Sequence, residues 1–163
     1  MTIKVGDRVP EAKLLRFGAE GTETVALGPK VKGRKVVVFG LPGAFTRTCT
    51  AAHVPSFIRT HDRFIDKGVD EIICIAVNDP FVMKAWGEAT GGAAAGITFL
   101  GDADASLTKA MGMAFTAPPA GFYDRCKRFA MYIEDGVVKV LHEEQGTGVC
   151  ETSGGEAMLA AIG

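Results

Sequence analysis

Three residue types stand at fixed intervals in FGLPGAFTRTCTAAHVPSF, residues 39–57: Pro42, Thr46 and Cys49. The segment joins an apolar, β-branched run to a stretch with helical spacing, so Cys49 falls where the helix begins. N–H groups of a first helical turn lack acceptors, and the dipole there favours an anion, which biases a thiol toward thiolate. Thr46 adds a hydroxyl able to accept from the thiol or donate to a bound oxygen. Pro42 adds a rigid apolar wall without an N–H, keeping water from the sulfur. Together they suit attack by a thiolate on an electrophile whose charge develops on a small oxygen. A cysteine that only fills core volume needs no such position.

The surrounding pattern supplies the elements that must hold this site. RKVVVFGLP, residues 34–42, reads as a buried strand. A helix follows from about Thr48 to Lys67, with Pro55 as a kink and Gly68 at its end. DEIICIAV (70–77) is a continuous apolar run of the kind found inside parallel sheets. Strand, helix and strand make a right-handed βαβ unit. Pro80 to Ala89 reads as a second helix, ITFLGD as a short strand and ASLTKAMGM as a short helix. CKRFAMYIEDGVVKVLHEE reads as a hairpin around Asp135-Gly136, and TSGGEAMLAAIG as a terminal helix. The expected fold is α/β and thioredoxin-like, a central mixed sheet flanked by helices, in one domain spanning 1–163.

That order has a geometric consequence. Cys49 lies just beyond the carboxyl end of the first strand of the βαβ unit, where α/β sites form. If the hairpin's first strand runs antiparallel to it, Arg128 at its start reaches the same pole, and the loop EEQGTGVCET with Cys150 returns there. A guanidinium beside the sulfur favours its ionised form.

Composition removes several function classes. A formal net charge of −1, with no run of Lys or Arg, argues against a nucleic-acid or membrane-binding face. The longest apolar run, 36–45, is interrupted by glycine and proline and is too short to span a bilayer. The charged N-terminal MTIKVGDRVPEAK lacks the apolar core of a signal peptide, so reduced thiols in the cytoplasm are expected. Cys49, Cys74, Cys126 and Cys150 contain no CxxC pair, and no phosphate-cradling glycine motif is present. His53, four residues after Cys49, is better suited to a supporting hydrogen bond than to a metal; no metal and no cofactor are expected. Trp86 and Phe81 read as core aromatics.

PGAFTRTC matches the Pro-x-x-x-Thr-x-x-Cys motif of the peroxiredoxins, and with HVPSF, KGVDEIICIAVNDPFVMKAWG and KRFAMYIEDG the chain resembles their type II branch over nearly its whole length. The resemblance implies that Cys49 is the peroxidatic cysteine, with Pro42, Thr46 and Arg128 as the other site residues. It implies reduction of hydrogen peroxide and organic (alkyl) hydroperoxides, with glutaredoxin and glutathione or thioredoxin as electron donor. It also implies a homodimer associating around the active-site face, with Trp86 and Phe81 near that face as the alternative to a core position. Arg47 stands where many relatives have proline, and Ser56 where they often have glycine; Arg47 adds charge near the mouth.

The step after peroxide attack stays open in the sequence. Cys74, 25 positions on, has the spacing of the proposed resolving cysteine of type II relatives but lies inside an apolar strand. Cys150 lies in a glycine-rich loop, one place from where some relatives carry a second cysteine. Cys126 reads as structural. Direct attack by glutathione on a Cys49 sulfenic acid is the third route. Two other classes fit less well. A cysteine hydrolase needs a His and an Asp or Asn around Cys49, where only His53 is local. A non-catalytic thioredoxin-like module has no use for Thr46, Cys49 and Arg128 together.

Overall fold

The computed structural model describes residues 2–146 and 148–163; Met1, and Thr147 of the loop carrying Cys150, lie outside the described residues. A seven-stranded sheet runs in the order β2 (Gly21–Ala26), β1 (Lys13–Gly18), β5 (Thr98–Gly101), β4 (Glu71–Ala76), β3 (Lys35–Gly40), β8 (Phe129–Glu134), β9 (Val137–Glu143). Its centre is the predicted βαβ unit: β3 (Lys35–Gly40), helix α2 (Val54–Asp66) and β4 (Glu71–Ala76), with β3 and β4 parallel. Both strands are β-branched and buried almost throughout, as expected where a parallel sheet is covered on both faces. β5 (Thr98–Gly101) extends the parallel part beyond β4.

The hairpin forms as predicted. β8 (Phe129–Glu134) runs antiparallel to β3, and β9 (Val137–Glu143) returns beside it. Asp135 and Gly136 both take positive φ, 48° and 78°, the combination that matches strand twist in a two-residue turn. Asp135 N–H bonds the Arg34 carbonyl, so the turn sits at the far end of β3 from Cys49.

Three regions went unread in the sequence. β1 (Lys13–Gly18) and β2 (Gly21–Ala26) form an N-terminal hairpin that adds the other edge, followed by helix α1 (Leu27–Val31). β6 (Ala114–Ala117) and β7 (Phe122–Cys126) make a separate two-stranded ribbon leading into Arg128. Helices α3 (Pro80–Ala89), α4 (Ser106–Ala110) and α5 (Gly155–Ala161) stand where the sequence placed helices.

Two clusters of buried residues pack against the sheet. One gathers Leu14, Val36, Ile73, Leu100 and Met131; the other holds Phe39, Phe57, Cys74 and Trp86 together with Cys49. Two expectations are corrected. Phe81 is not a core aromatic: it is 60% exposed, with its ring 5.0 Å from that of Phe17. It stands in the first turn of α3, whereas Trp86 is fully buried and donates its indole N–H to Thr50 Oγ1 at 3.0 Å. The irregularity in the long helix is also not a kink at Pro55. Instead Cys49–His53 forms a π-turn, with the Val54 N–H returning to the Cys49 carbonyl, and Pro55 follows in the first turn of α2, where its missing N–H is least felt.

Candidate active site

The helix carrying Cys49 starts at Thr46, whose carbonyl accepts from Thr50 N–H at 3.0 Å. Cys49 is therefore in the first turn, as its spacing predicts, and it is fully buried. The loop between β3 and this helix is held from the side. Asn78, just past the end of β4, accepts the Ala44 N–H through Oδ1 at 2.9 Å, and Phe45 next to it is kept at φ 62°, a backbone conformation that costs a side chain energy.

Arg128, at the start of β8, is 2% exposed and donates through NH2 to Cys49 Sγ at 3.2 Å. Antiparallel pairing of β8 with β3 puts Phe129 beside Gly40, so the next residue back reaches over the end of β3 toward the helix start. Its other terminal nitrogen, NH1, lies 2.9 Å from His53 Nδ1. His53 Nε2 lies 3.0 Å from the Ser153 carbonyl oxygen, which can only accept. Nε2 therefore carries the proton and Nδ1 accepts from Arg128. Burial, reinforced by the Arg128 charge, pushes His53 down to about 3, so the ring is neutral.

Ser153 is fixed in turn by Glu144. Glu144 Oε2 accepts from Ser153 N–H at 2.7 Å, Ser153 Oγ at 2.6 Å and Glu151 N–H at 2.7 Å. Burial pushes this carboxyl up, but the bonds from Ser153 and Glu151 outweigh it and leave it below its ordinary value. A continuous chain, Glu144–Ser153–His53–Arg128–Cys49, thus links the loop after β9 to the thiol.

Thr46 departs from one expectation. Its hydroxyl proton is directed to the Gly43 carbonyl at 2.6 Å, so toward the site Oγ1 is an acceptor rather than a donor. Above these groups opens a cavity of about 390 Å³ lined by Pro42, Thr46, Arg47, Ala120, Phe122 and Arg128. Arg47 is at the mouth, where the sequence put its charge. Cys49 does not itself line this space but lies beneath it, in contact with Arg128.

A buried thiol in a first helical turn, bonded by a guanidinium and roofed by a cavity with a hydroxyl acceptor, is a site for oxygen transfer to sulfur. A family model described as Redoxin matches residues 4–159. Peroxiredoxin-2E-2, chloroplastic, from Oryza sativa subsp. japonica is 45% identical over 99% of this chain and 73% of its own length. Peroxiredoxin-2B from Arabidopsis thaliana is 39% identical over 98% of both chains. The crystal structure of reduced Prx3 from Vibrio vulnificus in complex with H2O2 superposes with a TM-score of 0.90, at 43% identity, covering 99% of this chain and 100% of the other.

The chain belongs to the peroxiredoxin family. It is of the type II branch and is a thiol-dependent peroxidase, an oxidoreductase with an antioxidant role.

The remaining cysteines of this peroxiredoxin are less available. Cys74 pairs in register with Phe39, is fully buried, and has its thiol pushed well above the ordinary range by burial. Cys126 is pushed up to about 12, also by burial, and its Sγ lies 3.2 Å from the Lys127 carbonyl. Cys150 is half-buried at the Cys49 pole, 4.0 Å from Ser153 Oγ, and burial raises it too. All four thiols are free. Among the described residues, no three His, Cys, Asp or Glu side chains converge as metal ligands.

Sequence reasoning missed Asn78, Glu144 and Ser153. All three lie inside quoted stretches without being singled out there, and each acts through backbone groups brought close only by folding. Arg125, the sequence's alternative to Arg128 as the charge beside the sulfur, donates instead to the Pro42 carbonyl at 3.0 Å.

Proposed function

We propose that this peroxiredoxin reduces hydrogen peroxide and organic hydroperoxides at Cys49, with Arg128, Thr46 and Pro42 as the other site residues and His53 holding Arg128. The observation that carries the reading is the 3.2 Å bond from Arg128 to Cys49 Sγ beneath an open cavity. The thiolate attacks the terminal hydroxyl oxygen of the hydroperoxide. An S–O bond forms, and the O–O bond breaks with its electron pair on the departing oxygen, which takes up a proton to leave as water or an alcohol. Thr46 Oγ1 accepts from the attacked O–H, while Arg128 and the Cys49 N–H donate to the oxygens as charge builds. The product is a Cys49 sulfenic acid.

An external thiol then reduces it, glutathione with glutaredoxin or alternatively thioredoxin. The burial of Cys74 supports this route over an internal disulfide. Exposed Phe45, Phe81 and Tyr123 support a homodimer associating around this face, and four free cysteines suit the cytoplasm.

The test is stopped-flow oxidation of the reduced protein by hydrogen peroxide, followed by mass measurement of the trapped product. Rapid loss of one thiol with a sulfenate adduct at Cys49 is expected. The Cys49→Ser variant, folded but carrying a hydroxyl that does not ionise at neutral pH, is expected to show no turnover. Substantial turnover by that variant rejects the assignment.

A further inference from the structure

The contacts of Arg125 join both lips of the active-site cavity. NH1 donates to the carbonyl of Pro42 at 3.0 Å, on the loop leaving β3. Its guanidinium carbon stands 5.3 Å from the centroid of the Phe122 ring, on β7. Pro42 and Phe122 both line the 390 Å³ cavity. Phe122 is steadied on another side by Phe115, edge to face at 5.9 Å. Residue 43 leaves room for this clamp only as glycine, since a Cβ there would overlap the Arg125 guanidinium.

Arg125 bonds the backbone carbonyl of Pro42 and covers the Phe122 ring, whereas the bonds to the reacting oxygens come from Cys49, Thr46 and Arg128. Arg128, His53 and the first helical turn are fixed by separate bonds. A peroxide with no substituent needs only that inner set. A hydroperoxide with a bulky apolar substituent must also lay it between Pro42, Ala120 and Phe122, whose spacing Arg125 sets.

We infer that Arg125 is a positioning residue that determines specificity for apolar organic hydroperoxides by fixing the Pro42 and Phe122 walls. The inference rests on the proposed function above. An apolar wall displaced from a substituent loses selectivity of about tenfold or more per missing contact, whereas the unsubstituted peroxide is indifferent to it.

The test measures second-order rate constants for Cys49 oxidation by hydrogen peroxide and by cumene hydroperoxide in the wild type, Arg125→Lys and Arg125→Met. Lysine keeps the charge and methionine keeps the length; both lose the forked guanidinium that reaches Pro42 and Phe122 at once. The ratio of the cumene to the hydrogen peroxide constant is expected to fall about tenfold in both variants, with hydrogen peroxide itself changed less than threefold. Phe122→Leu is expected to lower the same ratio, and adding Arg125→Met to it to lower the ratio little further, because the two residues act as one unit. A ratio within twofold of wild type in either Arg125 variant overturns the inference, as does an equal loss toward both peroxides. Loss in Met alone would assign the effect to charge, which equally overturns the clamp. If wild-type Cys49 reacts with neither peroxide, the proposed function falls instead; thermal melting confirms that each variant is folded.

Discussion

His53 Nδ1 accepts a hydrogen bond from Arg128 at 2.9 Å, joining residues 75 positions apart in the chain. A protonated imidazole would turn this acceptor into a donor facing a guanidinium, so the site works only while His53 is neutral. Its pKa in the folded protein, about 3, is below the ordinary 6.5. Between those values the unfolded chain binds a proton that the folded chain does not. The stability that His53 contributes is therefore fully present above about pH 6.5 and is lost as pH falls toward about 3, by at most about 5 kcal/mol. Urea unfolding of wild type and His53→Gln across this range checks it: the variant is expected to show a flatter slope and, at neutral pH, slower oxidation of Cys49.

Replacing Arg128 removes both a donor to the sulfur and the charge beside it. Arg128→Gln is expected to slow peroxide attack by about 10²–10³, the worth of one oxyanion donor in a preorganised site. Rapid-mixing kinetics on the variant, with circular dichroism as a control for folding, measure the loss. An unchanged rate would remove Arg128 from the chemistry.

The resolving step turns on depth. Cys74 is fully buried beside Phe39 in the sheet, while Cys49 begins a helix past the strand ends. A disulfide needs the Cα atoms within about 4.4–6.8 Å and the Cβ vectors facing, so joining these two requires local unwinding. The Cys74→Ser and Cys150→Ser double variant is expected to keep most of its turnover with glutathione and glutaredoxin. If Cys74→Ser alone stops turnover with every donor, the strand must open.

Glu144 ties down the loop that presents Ser153 to His53. Glu144→Gln puts an amide among three donors and satisfies fewer of them. A stability loss of about 1–3 kcal/mol is expected from the unpaired groups, seen in denaturant unfolding. The oxidation rate of Cys49 is expected to fall several-fold in the same variant, because Ser153, His53 and Arg128 relax together.

Local pattern made much of this protein readable. The continuous apolar runs at 34–42 and 70–77 specify buried parallel strands, and Asp135-Gly136 between two apolar runs specifies a hairpin. Cys49 at the start of a helix carries its chemistry in its position, and chain order alone sends Arg128 and Cys150 to its pole. The hairpin β1–β2 left no comparable trace, since KLLRFG and GTETVA lie at a sheet edge with most positions partly exposed, and neither makes a continuous apolar run. The π-turn was hidden because backbone bonds, not side-chain period, define it. Most of all, the chain Glu144–Ser153–His53–Arg128, the Thr46 proton sent to Gly43 and the Arg125 clamp depend on hydrogen-bond directions between distant segments. Periodicity encodes which face of an element is apolar. Only tertiary packing decides which lone pair meets which proton, because a shift of an ångström makes or breaks such a bond.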